Sequence, residues 1–128
     1  MSTIDISKVK FDDKGLVPVV AQDATTKQVL MVAWANEEAL QHTAETGEGC
    51  YWSRSRKELW IKGKTSGNTQ KVVDIRLDCD GDTLIYMMNV AGPACHFDET
   101  TCFFRRNVDG EWVYDGDHDA DPGYFDKK

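Results

Sequence analysis

Three cysteines and three aspartates gather in the second half of the chain: Asp78-Cys79-Asp80-Gly81-Asp82, then Cys95-His96, then Cys102. Thiolates favour a soft or borderline metal such as zinc, and carboxylates favour a hard one such as magnesium. The two sets interleave, which points to two different metals held side by side. Cys79, Cys95 and Cys102 leave zinc one ligand short of its usual four, and a catalytic zinc keeps that fourth position open for water. Asp78, Asp80 and Asp82 would project from one face if the preceding strand ran on through them. Carboxylates so placed repel one another unless a cation sits among them. Magnesium, held by a few carboxylates together with substrate phosphate, suits such a set. A calcium-binding EF-hand does not, because counting from Asp78 it would need glycine where Thr83 stands and glutamate where Asn89 stands.

Each signal has a plainer counterpart. The cysteines do not form the C-x2-C pairs of a zinc ribbon, and isolated cysteines often serve only as small buried hydrophobes. The aspartates around Cys79 and the Gly92-Pro93 turn before Cys95 favour the ligand reading for those two; Cys50 has no such neighbours and reads as a packing residue. An acidic D-x-D-G-D stretch also suits a solvated loop. His96 can be a general base or proton relay, a fourth ligand that closes the zinc site, or a turn residue. Cys50 is the other residue that could close it. His42 and His118 read as surface residues. Arg54, Arg56, Lys62 and Ser66 fall in two stretches that combine bases, hydroxyls and glycines, a composition that can cradle a phosphate. The plain alternative there is a solvated charged hairpin. Trp52 and Trp60 flank it and could stack on a base, although aromatic residues in strands usually belong to the core.

The elements that must position these residues are short. Leu16 to Gln22 is apolar and β-branched, a strand in which Pro18 calls for an edge or a strand start. Gln28 to Trp34 is its hairpin partner. A helix follows over 36–46, capped by Asn36, with Glu37 and Glu38 in its first turn and Gly47 as its stop. Ala39, Leu40, Thr43 and Ala44 form its buried face. Strands are expected over 50–53, 58–62, 70–78, 83–90, 101–106 and 111–114, the last turning at Asp109-Gly110. In the 70–78 strand, Val73, Ile75, Leu77 and Cys79 should share one face, with Asp74, Arg76, Asp78 and Asp80 on the other. The class is α+β with mainly antiparallel strands and one helix. At 128 residues one domain is expected over 1–106, with an acidic extension over 107–128 that holds a short hairpin strand and then a partly disordered tail. A hydrophobic content of 41% is that of an ordinary globular chain. The net charge of −7 argues against a nucleic-acid partner, which would require a basic face. Met1 to Phe11 lacks the apolar run of a secretory signal, and no run reaches the length of a membrane span. A cytoplasmic protein with thiols rather than disulfides is expected.

Several motifs in order over 15–104, GLVPVVAQD, VLMVAWANEEAL, TGEGCYWSRSRKELWIKGKTSGN, QKVVDIRLDCDGDTL and GPACHFDETTCFF, resemble the phosphoribosyl-AMP cyclohydrolase family of histidine biosynthesis. The resemblance implies a zinc and magnesium hydrolase that opens the adenine ring of N1-(5-phosphoribosyl)-AMP at the C6–N1 bond by attack of a zinc-activated water. By motif it implies zinc on Cys79, Cys95 and Cys102, magnesium on Asp78, Asp80 and Asp82, and a catalytic role for His96. It also implies an intertwined homodimer with each zinc site shared between chains. Magnesium could orient substrate phosphate, polarise the ring or polarise a water. Some relatives carry a fused helical pyrophosphohydrolase domain; this chain is too short for one, so only ring opening is expected. Two other readings compete. A zinc-dependent purine deaminase would expel ammonia, and its H-x-E and P-C-x-x-C signature is absent here. A non-enzymatic structural-zinc interaction module would need a fourth protein ligand.

Overall fold

The computed structural model describes residues 4–63, 67–92 and 100–116. Its centre is a six-stranded mixed sheet. In chain order the strands are β1 (Val17–Asp23), β2 (Val29–Ala35), β3 (Cys50–Ser53), β4 (Glu58–Ile61), β5 (Gln70–Leu77) and β6 (Leu84–Val90), and they lie in the order β4-β3-β2-β1-β6-β5. All neighbours are antiparallel except β1 and β6, which run parallel from Val19↔Leu84 to Asp23↔Met88. The sheet curls until its ends meet. Glu48 bridges Lys71, the Gly49 N–H donates to the Gln70 carbonyl at 3.1 Å, and the Val72 N–H donates to the Gly47 carbonyl at 2.7 Å. The edge that β5 would otherwise leave open is thereby paired with the segment leading into β3, which removes a template for stray strand addition.

Helix α1 (Glu37–Thr46) forms where its end signals predict. The Asn36 side chain accepts from the Ala39 N–H at 2.8 Å, and Gly47 ends the helix at φ 80°, in the left-handed region where glycine meets no Cβ penalty. The predicted face, Ala39, Leu40, Thr43 and Ala44, is the one buried. Thr43 fastens the helix to β3: its hydroxyl donates to the Ala39 carbonyl at 3.1 Å and accepts from the Cys50 N–H at 3.0 Å. Beneath lie Leu30, Leu40, Leu84, Met88 and the fully buried rings of Tyr51 and Tyr86, whose centroids are 5.5 Å apart.

One expectation narrows to one of its two forms and two change. β1 is an inner strand, so Pro18 is tolerated as a strand-start residue and not as an edge: it pairs with Trp34, and the ladder to β6 begins only at Val19. The β5 alternation slips at a bulge between Val72 and Asp74. Val72 is buried, while Val73 becomes the extra residue and is 46% exposed. Only Ile75 and Leu77 keep the predicted phase, since both pair with core residues of β6, Tyr86 and Leu84. Residues 101–104 are not a strand. The Cys102 N–H donates to the Leu30 carbonyl at 2.7 Å and the Thr101 hydroxyl to the Val29 carbonyl at 2.7 Å, which docks this segment against the start of β2. β7 (Arg105–Val108) and β8 (Glu111–Tyr114) then pair as a hairpin across Asp109-Gly110.

Gln70 sits at the closure and is buried. Its Oε1 accepts from the Tyr51 hydroxyl at 2.6 Å, and its Nε2 points to the Met31 sulfur at 3.4 Å. Tyr51→Phe removes a donor and leaves a buried acceptor without it. The expected cost is about 1–3 kcal/mol, read as a lower urea midpoint with an unchanged slope.

Candidate metal centre

The strand expected to run through the aspartates stops at Leu77. The chain turns back over 78–83 instead. The Asp78 N–H donates to the Thr83 carbonyl at 3.0 Å, and Asp78 Oδ1 accepts from the N–H groups of Asp82 at 3.0 Å and Thr83 at 3.3 Å. The aspartates are thus collected by a turn and not by strand alternation, and the result is tighter. Ligating oxygens of Asp78, Asp80 and Asp82 all lie within 4.8 Å of one another, on exposed side chains. Cys79, also exposed, stands between the first two.

Gly81 shapes this turn. It adopts φ +79° and is buried under the N-terminal segment; a Cβ there would meet the Lys8 carbonyl oxygen at 2.7 Å. The Lys10 N–H donates to the Gly81 carbonyl at 2.7 Å. Asp5 caps the short 3-10 turn Ile6–Lys8 through the Ser7 N–H, and buried Val9 pins the N-terminal segment to the core. The turn is therefore held from both sides, by its own Asp78 carboxylate and by the segment lying across Gly81.

The three carboxyls behave as one set. Local desolvation pushes Asp78 upward, but hydrogen bonds with Asp80 and Asp82 and with the N–H groups of Asp82 and Thr83 outweigh it and hold the carboxyl below its usual value. Asp82 is held above its usual value by hydrogen bonds with Asp80 and Asp78, helped by desolvation and by their negative charge. The mutual repulsion that raises Asp82 is what a divalent cation among the three would relieve, as expected of oxygen ligands placed for a hard ion. The donor set fits magnesium.

The thiols divide by environment. Cys79 and Cys102 are exposed, Cys50 is buried at 1% exposure, and none of the three is in a disulfide. Burial, with smaller contributions from Glu38 and Glu48, pushes the Cys50 thiol up to about 11, so it stays protonated and inert at neutral pH. Cys95, His96 and Ser66 lie outside the described residues, as does His118. His42 pairs with Glu48 at 3.1 Å on the surface.

The phosphate candidates separate. Arg54 and Arg56 lie in the exposed turn joining β3 to β4, and the Arg54 guanidinium lies 4.6 Å from the Trp34 ring centre. Lys62 follows β4 at the other end of the hairpin, mostly buried, with its ammonium 5.7 Å from the Trp60 ring centre. Of the two tryptophans flanking this hairpin, Trp60 is tilted against Tyr51 at 5.5 Å and Trp52 pairs across strands with Trp34. The indole beneath a cation at the open surface is Trp34, which its apolar run makes indistinguishable from core in the sequence. Residues 10–12 carry no sequence signal beyond a polar N-terminus, yet Lys10 and Phe11 line a cleft beside the acidic turn.

A family model described as phosphoribosyl-AMP cyclohydrolase matches residues 31–104. The chain is similar to the phosphoribosyl-AMP cyclohydrolase of Archaeoglobus fulgidus, 58% identical over 106 residues that cover 83% of this chain and 97% of that protein. It is similar to that of Salinibacter ruber, 50% identical over 122 residues covering 95% and 96%. It also matches the histidine biosynthesis bifunctional protein of Thermus thermophilus, 56% identical over 108 residues; these are 84% of this chain and 50% of that protein.

The thiol contrast has a direct readout. In the folded, metal-free protein at pH 8, Cys79 should react with iodoacetamide and Cys50 should not until urea unfolds the chain. Because the folded Cys50 value lies above the unfolded reference of 9.0, its contribution to stability is complete below pH 9 and is lost as the pH rises towards 11. Cys50→Ala should remove that part of the alkaline decline.

Proposed function

The chain belongs to the phosphoribosyl-AMP cyclohydrolase family of enzymes, and on that premise we propose that it hydrolyses N1-(5-phosphoribosyl)-AMP in histidine biosynthesis, opening the adenine ring at C6–N1. The observation that carries the reading at the level of residues is the acidic turn, where three convergent carboxylates flank an exposed thiol. In the reaction the oxygen of water ends on C6 as a carboxamide carbonyl, the exocyclic nitrogen stays on C6, and N1 takes a proton as its bond to C6 breaks. Nothing is released, which separates this reaction from deamination.

Asp78, Asp80 and Asp82 would hold magnesium, and Cys79, Cys95 and Cys102 zinc. When bound, zinc supplies a Lewis acid that brings the pKa of water to about 7. The protein's own groups then have defined tasks. His96, next in sequence to Cys95, carries the proton from water towards N1. Arg54 and Arg56 at one end of the β3–β4 hairpin, and Lys62 with Ser66 at or beyond the other, provide cations and a hydroxyl for a substrate that carries two separate phosphates. The two ends are about 13 Å apart at roughly 3.3 Å per residue.

The zinc set also supports a homodimer. Cys102 hangs from Leu30 on β2, and Cys79 follows β5. The order β2-β1-β6-β5 puts three inter-strand steps between them, on the order of 14 Å along the sheet. Two sulfurs on one zinc can be no more than about 4.6 Å apart. Leu30 also lies near the Gln22 end of β1 while Leu77 lies at the Val19 end, and this separation supports a zinc that takes the two thiols from two protomers. The exposed apolar residues of β5, Val73 and Leu77, are then surface for a second chain to cover.

Two measurements test these assignments. The metal-loaded protein should turn over phosphoribosyl-AMP without producing ammonia, and Cys79→Ser and Cys102→Ser homodimers should each be inactive and zinc-poor. Mixed dimers of the two hold one doubly altered and one intact site, so activity should return to as much as half per mixed dimer. Mixed dimers that form and stay inactive would rule out the shared site. Separately, Asp80→Asn should abolish the rise in melting temperature that magnesium gives the unsubstituted protein while zinc content stays constant. An undiminished magnesium response would reduce the acidic turn to a solvated loop.

A further inference from the structure

Beside the acidic turn, and sharing only Asp82 with the assignments above, lies an open cleft of about 500 Å³. Its apolar walls are Phe11, Leu16, Pro18 and Trp34; its polar rim includes Lys10 and Asp82. A volume of this size accommodates a nucleotide. Aromatic and aliphatic walls, with two carboxylates against one ammonium on the rim, suit a flat heteroaromatic ring better than they suit a free anion.

Trp34 is the central feature of this cleft. Its indole is half-buried at the open end of β2 and carries the Arg54 guanidinium 4.6 Å from its ring centre. That contact fixes the ring before any ligand arrives, which lowers the ordering cost of binding. It also joins the cleft to the cationic tip of the β3–β4 hairpin. Lys10 is placed as firmly. Its N–H is bonded to the Gly81 carbonyl at 2.7 Å, and its neighbour Val9 is buried in the core. Among the described residues no carboxylate forms an ion pair with Lys10. Asp12, also on the rim, is engaged elsewhere: its Oδ1 accepts from the N–H groups of Lys14 and Leu16, both at 2.9 Å. Asp82 belongs to the acidic turn, and a divalent cation there would make that wall attractive to phosphate.

We propose that this cleft binds the adenylate half of the substrate, with the purine stacked on Trp34 and the adjoining 5′-phosphate at Lys10. The proposal rests on the cyclohydrolase reading for the identity of the nucleotide. It adds a purine platform and a phosphate contact that the sequence motifs do not mark. It also places the ring beside the turn that carries Cys79, one of the thiols that would hold zinc.

The probe is AMP, measured against the full-length protein by calorimetry, with adenosine as the control lacking phosphate. Trp34→Ala should weaken AMP about tenfold or more, as expected for loss of one base–aromatic stack, and should raise the KM for phosphoribosyl-AMP with a smaller change in kcat. Trp34→Phe, which keeps an aromatic face, should stay within about threefold of the unsubstituted protein. Lys10→Gln, a surface change that leaves the core intact, should weaken AMP several-fold and leave adenosine binding unchanged. If the unsubstituted protein does not bind AMP, or binds it equally well after Trp34→Ala and Lys10→Gln, the cleft is not the adenylate site. Failure of the cyclohydrolase reading looks different: the metal-loaded protein would not turn over phosphoribosyl-AMP, while the pattern of AMP binding could still hold.

Discussion

The contact on which the rest of this molecule depends is the closure of the sheet, where residues 47–49 pair with 70–72. Two backbone hydrogen bonds and the Tyr51–Gln70 side-chain bond make it. Without it β5 would be an open edge strand held only by β6. With it, β5 is clamped on both sides over its first three residues, and its far end delivers the acidic turn at a set height on the sheet. Packing makes the closure specific. Gly49 has no room for a side chain, because a Cβ would meet Gln70 Oε1 at 2.5 Å. Gln70 in turn is oriented by Tyr51, which lies fully buried between Trp60 and Tyr86. Helix α1 enters the same network through Thr43 and ends at Gly47, the residue whose carbonyl opens the closure. A helix stop, the sheet closure and a strand start thus fall within four consecutive residues, 47–50.

Legibility in the sequence tracks the range of the interaction concerned. The helix, its caps and its buried face are legible because Asn36, Gly47 and the spacing of Ala39, Leu40, Thr43 and Ala44 act within a few residues. The carboxylate set is legible as a group of three. Its geometry is not: the alternation of 73–79 suggests a continuing strand, whereas the bulge at Val73 and the turn after Leu77 depend on pairing with β6. The parallel pairing of β1 with β6 spans more than sixty residues of chain and leaves no local mark. Trp34 cannot be told from core in QVLMVAW, because the Arg54 that rests on it comes from the next strand's turn. Cys79 and Cys102 can be singled out in the sequence, but their places, after β5 and against the start of β2, depend on pairings that leave no local mark.

The site asks for opposite things from neighbouring residues. Carboxylates that bind a hard cation must be reachable from water, and Asp78, Asp80 and Asp82 are all exposed. Exposed residues in a loop would ordinarily move. This turn is restrained from beneath instead, by the buried glycine and by the segment that ends in Val9. Rigidity comes from backbone hydrogen bonds, a core anchor and Asp78 Oδ1, which leaves the remaining carboxylate oxygens facing water. Cys50 shows the reverse arrangement. Its thiol is enclosed beneath the helix and kept protonated, so a chain with several cysteines exposes only some of them to metal or oxidant.

The crossing of the N-terminal segment over Gly81 has a practical side. Lys8 and Lys10 lie directly on the turn that carries the aspartates, only a few residues from the start of the chain. Any sequence fused ahead of Met1 therefore begins within about 30 Å of the carboxylates, even at full extension of the linking residues. A polyhistidine tag placed there can reach the three aspartates and compete with them for any cation in solution. A tag after Lys128 joins the chain beyond the β7–β8 hairpin instead. For anyone preparing this protein for metal analysis, the choice of terminus is part of the experiment's design.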